Sequence, residues 1–246
     1  MQPESTPESL PRNSWIDRLQ AIFEILLMSG LISSFLAILP LSAILGQNIR
    51  LLLSDVRFIS AFLLLESTVS FFILAILLKM HRENMRDLGI HRRQWKTHAA
   101  LGLMLVPFLF LINGLLTFVF KNYFPKYYTE RNPLTENIHS LEQLVLLIIA
   151  ALIAGGIKEE LQRAFILNRF RRYLGGATIG LLLWSLAFGV GHYVQGVQGV
   201  FLATIYGFLF GLVYLLSGNL IAPIIAHGAY DTLALIGYWL LEGRFS

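Results

Sequence analysis

The sequence predicts an all-α fold, a polytopic bundle of transmembrane helices with about seven spans. Of its 246 residues, 56% are hydrophobic and only 14% are charged, whereas soluble domains carry about 25% charged residues. A membrane helix needs about 20 mainly apolar residues, and runs of that length recur along the chain. Both observations indicate an integral membrane protein.

Seven apolar runs are the predicted spans, and residues 14–246 are therefore interpreted as a single membrane-embedded helical domain. Residues 1–13 are polar and rich in Pro and Ser, which predicts a disordered N-terminal tail. The last four spans are joined by short connections and should pack as antiparallel neighbours. The runs are Ile22–Leu45, Phe58–Leu78, Ala99–Phe120, Leu144–Arg163, Ala177–Val194, Val200–Leu216 and Leu220–Leu241.

The fourth run continues into a charged segment, which makes it longer than a bilayer requires. An unbroken helix from Leu141 to Arg172 would be roughly 48 Å long, against a hydrocarbon core of about 30 Å. It must tilt, protrude or break. The Gly155-Gly156 pair is the predicted place for a kink or a close helix approach.

The charge distribution indicates the membrane topology and argues against nucleic-acid binding. The net charge is +4, but the basic residues flank apolar runs, which is typical of a membrane protein and not of a nucleic-acid partner. The basic loop from Lys79 to His98 is predicted to be cytoplasmic, with the N-terminus on the same side and residues 121–143 outside. A multi-pass protein of a bacterial plasma membrane, in contact with lipid, is the expectation. The absence of cysteine excludes disulfides, thiolate metal sites and a cysteine nucleophile.

Proton-handling side chains fall inside three of the late apolar runs, where a charge costs roughly 2.5 to 3.5 kcal/mol on the mildest scale. Glu159 and Glu160 lie in the first, His192 in the second, and His227 with Asp231 in the third. His227 and Asp231 are four residues apart and share one helix face. A catalytic core over about residues 140–241 follows.

Hydrolysis of an acyl bond is the chemistry that these residue types favour. No Cys or neighbouring Ser offers a covalent nucleophile, so a carboxylate would act as general base on water while imidazoles stabilise the oxyanion. Alternatively, Glu159, His192 and His227 would hold a divalent metal such as zinc, making the protein a metalloprotease. The HExxH spacing is absent, and the sequence leaves the metal open.

These motifs resemble the CAAX protease and bacteriocin-processing (Abi) family of intramembrane proteases. That family carries EExxxR, FxxxH and HxxxN or HxxxD on successive membrane helices. Here Glu159-Glu160 match the first motif, Phe188 with His192 the second, and His227 with Asp231 the third, in the same order. The resemblance covers Leu144 to Leu241.

The resemblance implies an intramembrane endopeptidase that acts on a peptide or protein at the membrane. Glu159 would activate water, and His192 would share that water or orient the base. His227 and Asp231 would stabilise the oxyanion, while Glu160 would be structural or a second acid. Nothing in the sequence indicates prenyl chemistry specifically.

Two positions depart from the family pattern. Arg163 comes one residue early, which turns its side chain by about 100° around the helix and predicts pairing with Glu159 instead of Glu160. Asp231 stands where many members have Asn, a hydrogen-bond donor. An ionised Asp only accepts, so it would have to be protonated or to orient His227.

Other interpretations remain at this point. The acidic cluster could anchor a surface helix, and the protein could be a proton-coupled transporter or a non-catalytic membrane binding or immunity protein. Ala203, Gly207 and Gly211 form a small-residue face for packing inside the bundle or in a homo-oligomer. Of the remaining intramembrane acids, Glu66 has no obvious partner and Glu24 is expected to reach the interface.

Overall fold

The computed structural model describes residues 14–45, 54–92, 94–130, 132 and 134–241, and the predicted tail, residues 1–13, lies outside them. Helices make up the regular structure of this part of the chain, with short 3₁₀ turns at Pro125–Tyr127 and Tyr193–Gln195. The α-helices are α1 (Trp15–Met28), α2 (Leu31–Leu45), α3 (Val56–Met80), α4 (Trp95–Tyr123), α5 (Leu141–Ala151), α6 (Glu160–Tyr173), α7 (Ala177–Gly191), α8 (Gly196–Ser217) and α9 (Ile221–Leu241).

Six helical stretches within the described residues are long and apolar enough to cross a bilayer, and α7 is a shorter apolar helix. The all-α, polytopic prediction of about seven spans is therefore confirmed, and the protein is a multi-pass integral membrane protein. The stretches are Trp15–Ile44, Val56–Met80, Trp95–Tyr123, Leu141–Tyr173, Tyr193–Ser217 and Ile221–Leu241.

The first span begins earlier than its apolar run, at Trp15 and not at Ile22. Ser14 accepts a hydrogen bond from the Asp17 backbone N–H, and the Asp17 carboxylate accepts one from the Ser14 N–H. This capping box satisfies the free donors of the helix start and fixes it there. The span is also divided between α1 and α2 at Gly30, whose φ of 92° is a left-handed value that suits glycine.

The long fourth stretch changes its hydrogen-bonding pattern instead of ending. A π-helical segment, Leu152–Glu159, connects α5 to α6. The close helix approach predicted at Gly155-Gly156 is confirmed, because a Cβ on Gly156 would lie 3.2 Å from the Cα of Gly228 in α9. A π-helical turn widens the backbone, often at functional sites.

The loop after α3 packs against the ends of two later hairpins. Asn168 of α6 donates to the Asp87 carbonyl (3.1 Å), and the Leu220 N–H donates to the Gly89 carbonyl (3.0 Å). The loop between α3 and α4, the α6–α7 turn and the α8–α9 turn therefore lie together. We call this the basic end of the bundle.

The expectation that Glu24 reaches the interface is wrong. Its side chain is 2% exposed and contacts Arg169 Nε at 2.6 Å and His81 Nε2 at 2.5 Å. Arg169 also forms two hydrogen bonds to Glu83, each of 3.0 Å. Because α1 packs on α6, the buried Arg169 is within reach of Glu24. The ion pair takes the place of the contact with water that the Glu24 carboxylate would otherwise need.

The small-residue face of α8 packs inside the bundle, against α7. A Cβ on Gly207 would lie 3.1 Å from the Phe188 ring and 3.4 Å from the Ser185 Cα. Ala203 is buried as well. These contacts correspond to the intramolecular alternative, and a homo-oligomer stays a prediction.

The contact between α4 and α9 depends on a glycine, which gives a first prediction. A Cβ on Gly102 would lie 2.5 Å from the Ala222 carbonyl oxygen and 2.9 Å from the Ile225 Cβ. Gly102→Ala should therefore destabilise the folded protein by about 1–3 kcal/mol. Thermal unfolding in detergent measures the change as a lower midpoint.

The matched control is Gly114→Ala on the same helix, where an added Cβ meets no described atom within 4 Å. Alanine favours a helix over glycine by about 1 kcal/mol, so this midpoint should stay or rise. Equal midpoints for the two variants would contradict the close α4–α9 contact.

Candidate active site

A cavity of about 430 Å³ lies among α4, the π segment and α7 to α9. Four of the predicted site residues line it, namely Glu159, His192, His227 and Asp231. Glu159 ends the π segment and His192 follows α7 directly. His227 and Asp231 share one face of α9, with their side chains 3.6 Å apart. These four side chains therefore line one cavity.

Glu160 lies behind the cavity and holds His227 in place. Its side chain is fully buried, and its carboxylate is 2.8 Å from His227 Nδ1. A carboxylate accepts, so Nδ1 carries the hydrogen of this bond. The contact fixes the ring so that Nε2 points towards the cavity.

The predicted pairing of Arg163 with Glu159 is wrong, because Arg163 contacts Glu160. Residues three apart in an α-helix are neighbours just as residues four apart are. The first turn of α6 therefore brings Glu160 and Arg163 together, while the Glu159 side chain faces the cavity.

Two aromatic rings surround the buried guanidinium of Arg163. Its Cζ lies 4.9 Å from the Phe188 ring centroid and 5.6 Å from that of Phe210. Among the described residues, its nitrogen atoms have no hydrogen-bond partner of regular geometry. Cation–π attraction and the Glu160 carboxylate are therefore what stabilise this charge.

Glu159 differs from its neighbour in being accessible. Its side chain is 16% exposed, and its carboxylate is 3.9 Å from His227 Nε2 and 3.8 Å from Lys158 Nζ. Both distances exceed a direct hydrogen bond. Glu159 is thus surrounded by cationic or polar groups without being closed off by them.

His192 is oriented by the helix that ends at it. Its Nδ1 is 2.7 Å from the Phe188 carbonyl oxygen, and its ring packs on the Phe188 ring at 4.5 Å between centroids. The carbonyl can only accept, so Nδ1 donates and Nε2 is the free acceptor. Both contacts join residues four apart, which is the spacing of the FxxxH motif.

A buried ion pair beside the site was missed by the sequence interpretation. Glu66, predicted to have no obvious partner, is 2.8 Å from Lys158 Nζ and accepts from the Ser33 hydroxyl at 2.6 Å. The available signal was Lys158 itself, since a lysine at membrane depth requires an acid. The apolar α3 brings that acid from a distant part of the sequence.

Amide and hydroxyl side chains form a second polar wall of the cavity, which was also missed. Asn113 of α4 donates to the Tyr230 hydroxyl (3.0 Å). Gln198 of α8 donates to Thr117 (2.9 Å) and accepts from the Thr129 N–H (3.3 Å). The sequence signal for this wall was Asn113 inside the third apolar run, whereas Gln198 lies just before the sixth run.

The side chains described do not form a metal cluster. No group of three or more His, Asp or Glu residues within this part of the chain is arranged to hold a metal ion. Of the alternative ligand set Glu159, His192 and His227, the last has Nδ1 bound to Glu160 and lines the cavity. The metal alternative stays a prediction, and no step proposed for the site involves a metal.

The fold and the site together define a polytopic membrane protein with paired carboxylates and imidazoles around an internal cavity. The model of the type II CAAX prenyl endopeptidase Rce1-like family matches residues 140–233, from the start of α5 into α9. The resemblance to the CAAX protease family is therefore confirmed over this segment, and it supports a membrane protease of the CAAX type. Comparison with curated proteins and with solved structures found no match.

The buried Lys158–Glu66 pair gives a second prediction. Lys158→Met leaves the Glu66 carboxylate buried without its cation, which should lower the free energy of unfolding by about 3–5 kcal/mol. Denaturant unfolding in detergent measures this loss.

The double variant Glu66→Gln with Lys158→Met removes both charges and should recover most of the lost stability, because no unpaired ion remains. A double variant as unstable as the sum of both single variants would show that the two charges do not interact.

Proposed function

We propose that the protein is an intramembrane endopeptidase in which Glu159 activates a water molecule to hydrolyse a peptide bond. The observation that carries this proposal is the common cavity, which Glu159 lines together with His192 and His227. A carboxylate and two imidazoles around one space are the groups that general acid–base hydrolysis requires.

Glu159 is the proposed general base because its carboxylate reaches the cavity without a direct hydrogen bond to His227 or Lys158. A water held between Glu159 and the free Nε2 of His192 loses a proton to Glu159 as its oxygen attacks the carbonyl carbon. The C–N bond then breaks, and Glu159 returns the proton to the leaving amine. The products are a carboxylic acid and an amine, and the base is regenerated.

His227 is the proposed oxyanion donor. Its Nδ1 is held by Glu160 at 2.8 Å, and its Nε2 faces the cavity with Asp231 at 3.6 Å. When the ring is protonated, Nε2–H donates to the negative oxygen of the tetrahedral intermediate. Asp231 and Glu160 then stabilise and orient the imidazolium. In this role Asp231 acts only as an acceptor, whereas an asparagine side chain would also offer N–H donors.

The proposed substrate is a peptide segment of a protein at the membrane. The matching family is described as a prenyl endopeptidase, and prenylation of the substrate is an open part of this proposal. Apolar side chains such as Leu63, Leu202 and Leu235 line the cavity beside the polar groups. Such a wall suits apolar side chains of a peptide as well as a lipid.

A third prediction tests the base. Glu159→Gln keeps the shape of the side chain but removes its basicity, so turnover of a fluorescence-quenched membrane-peptide library by purified protein should fall by about 10²–10⁴-fold or more. Glu142→Gln is the control, since this carboxylate at the start of α5 is 73% exposed and does not line the cavity.

A strong chelator separates the two mechanisms in the same assay. Turnover that persists with chelator and is lost in Glu159→Gln is the expected result. Loss of turnover with chelator would favour the metal alternative, and a library that stays intact while still binding would favour the non-catalytic binding protein.

A further inference from the structure

We infer that the cavity opens on the non-cytoplasmic side of the membrane, so that its substrate is a peptide segment exposed on that side. The class of substrate rests on the proposed function, whereas the orientation of the cavity rests on geometry and charge alone.

The cavity extends from the site to the end of the bundle opposite the basic end. Residues of the α4–α5 connection line it, among them Thr129, Glu130 and Thr135. Ile138 of the same connection packs with Val56 at the start of α3 and Leu144 near the start of α5. The ends that meet here are those farthest along each helix from the basic end.

The short helix α7 explains how His192 becomes accessible from this side. Fifteen helical residues, Ala177–Gly191, span about 22 Å, less than the roughly 30 Å of hydrocarbon. Because α7 starts at the basic end, it stops before the opposite surface. His192 and the turn Tyr193–Gln195 therefore lie below that surface, with the cavity above them.

A packed apolar layer closes the route from the basic end. This layer lies between the site and the basic end on each helix that contributes a residue to it. The side chains of the layer are at most 4% exposed. They belong to one continuous core cluster. Water and peptide therefore reach the site from the other side. The layer contains Leu74, Leu77, Phe165, Leu167, Leu181 and Leu220.

The distribution of charge assigns the two ends to the two sides of the membrane. Short loops rich in Lys and Arg stay in the cytoplasm. The basic end carries many such residues, whereas the connection over the cavity, residues 121–143, is balanced in charge, with Lys121, Lys126 and Arg131 against Glu130, Glu136 and Glu142. The basic residues are Lys79, Arg82, Arg86, Arg92, Lys96, Arg171 and Arg172.

The lack of cysteine allows a direct test of orientation. Glu130→Cys places a thiol at the cavity, and Met85→Cys places one at the basic end, where Met85 is 43% exposed. With a membrane-impermeant maleimide, Glu130→Cys should be labelled in right-side-out vesicles and Met85→Cys only in inverted ones. The reverse pattern would overturn the inference.

The substrate side is tested in the same two preparations with a membrane-impermeant quenched peptide library. Cleavage should occur in right-side-out vesicles and be at least tenfold slower in inverted ones, and equal or reversed rates would overturn the inference. Labelling does not need turnover, so a protein inactive even in detergent would contradict the proposed function and leave the orientation result standing. Glu159→Gln, labelled alongside, should give the parent pattern without cleavage.

Discussion

The structure depends on one constraint: ionisable side chains at membrane depth must find partners within the chain. Hydrocarbon offers no water to solvate a charge, and a buried ion without a partner costs several kcal/mol. The pairs that satisfy this constraint, Lys158 with Glu66 and Arg169 with Glu24, each connect helices far apart in the sequence. Pairing therefore determines which helices become neighbours, in addition to the apolar packing around them.

The same constraint separates the structural acid from the reactive one. Glu160 is fully buried, and its carboxylate pairs with Arg163 and accepts a hydrogen bond from His227. Glu159 is next to it in the chain but turned by about 100° around the helix, so it reaches the cavity instead. Two adjacent carboxylates thus serve different purposes because one is already satisfied by the protein interior.

Much of the fold was predictable because hydropathy and span length act locally along the chain. The site was predictable in part, since His227 and Asp231 share a face at four-residue spacing. Long-range partners were not: the apolar run around Glu66 carries no information about Lys158, and the arginine offset indicated the wrong glutamate. The predicted start of the first span was wrong because the capping box at Ser14 fixes the helix start independently of hydropathy. The π segment was not predicted because it has no hydrophobic periodicity of its own.

The glycines of the π segment connect the fold to the chemistry. A Cβ on Gly155 would lie 2.6 Å from Asp231 Oδ2 and 3.2 Å from His227 Nε2, inside the space that these side chains occupy. Any larger residue would push the imidazole away from Glu160 or the helices apart. The wider π-helical turn and the missing side chain therefore act together. They let α9 approach closely enough for His227 to bind Glu160 directly and to lie 3.9 Å from the Glu159 carboxylate, while Nε2 faces the cavity.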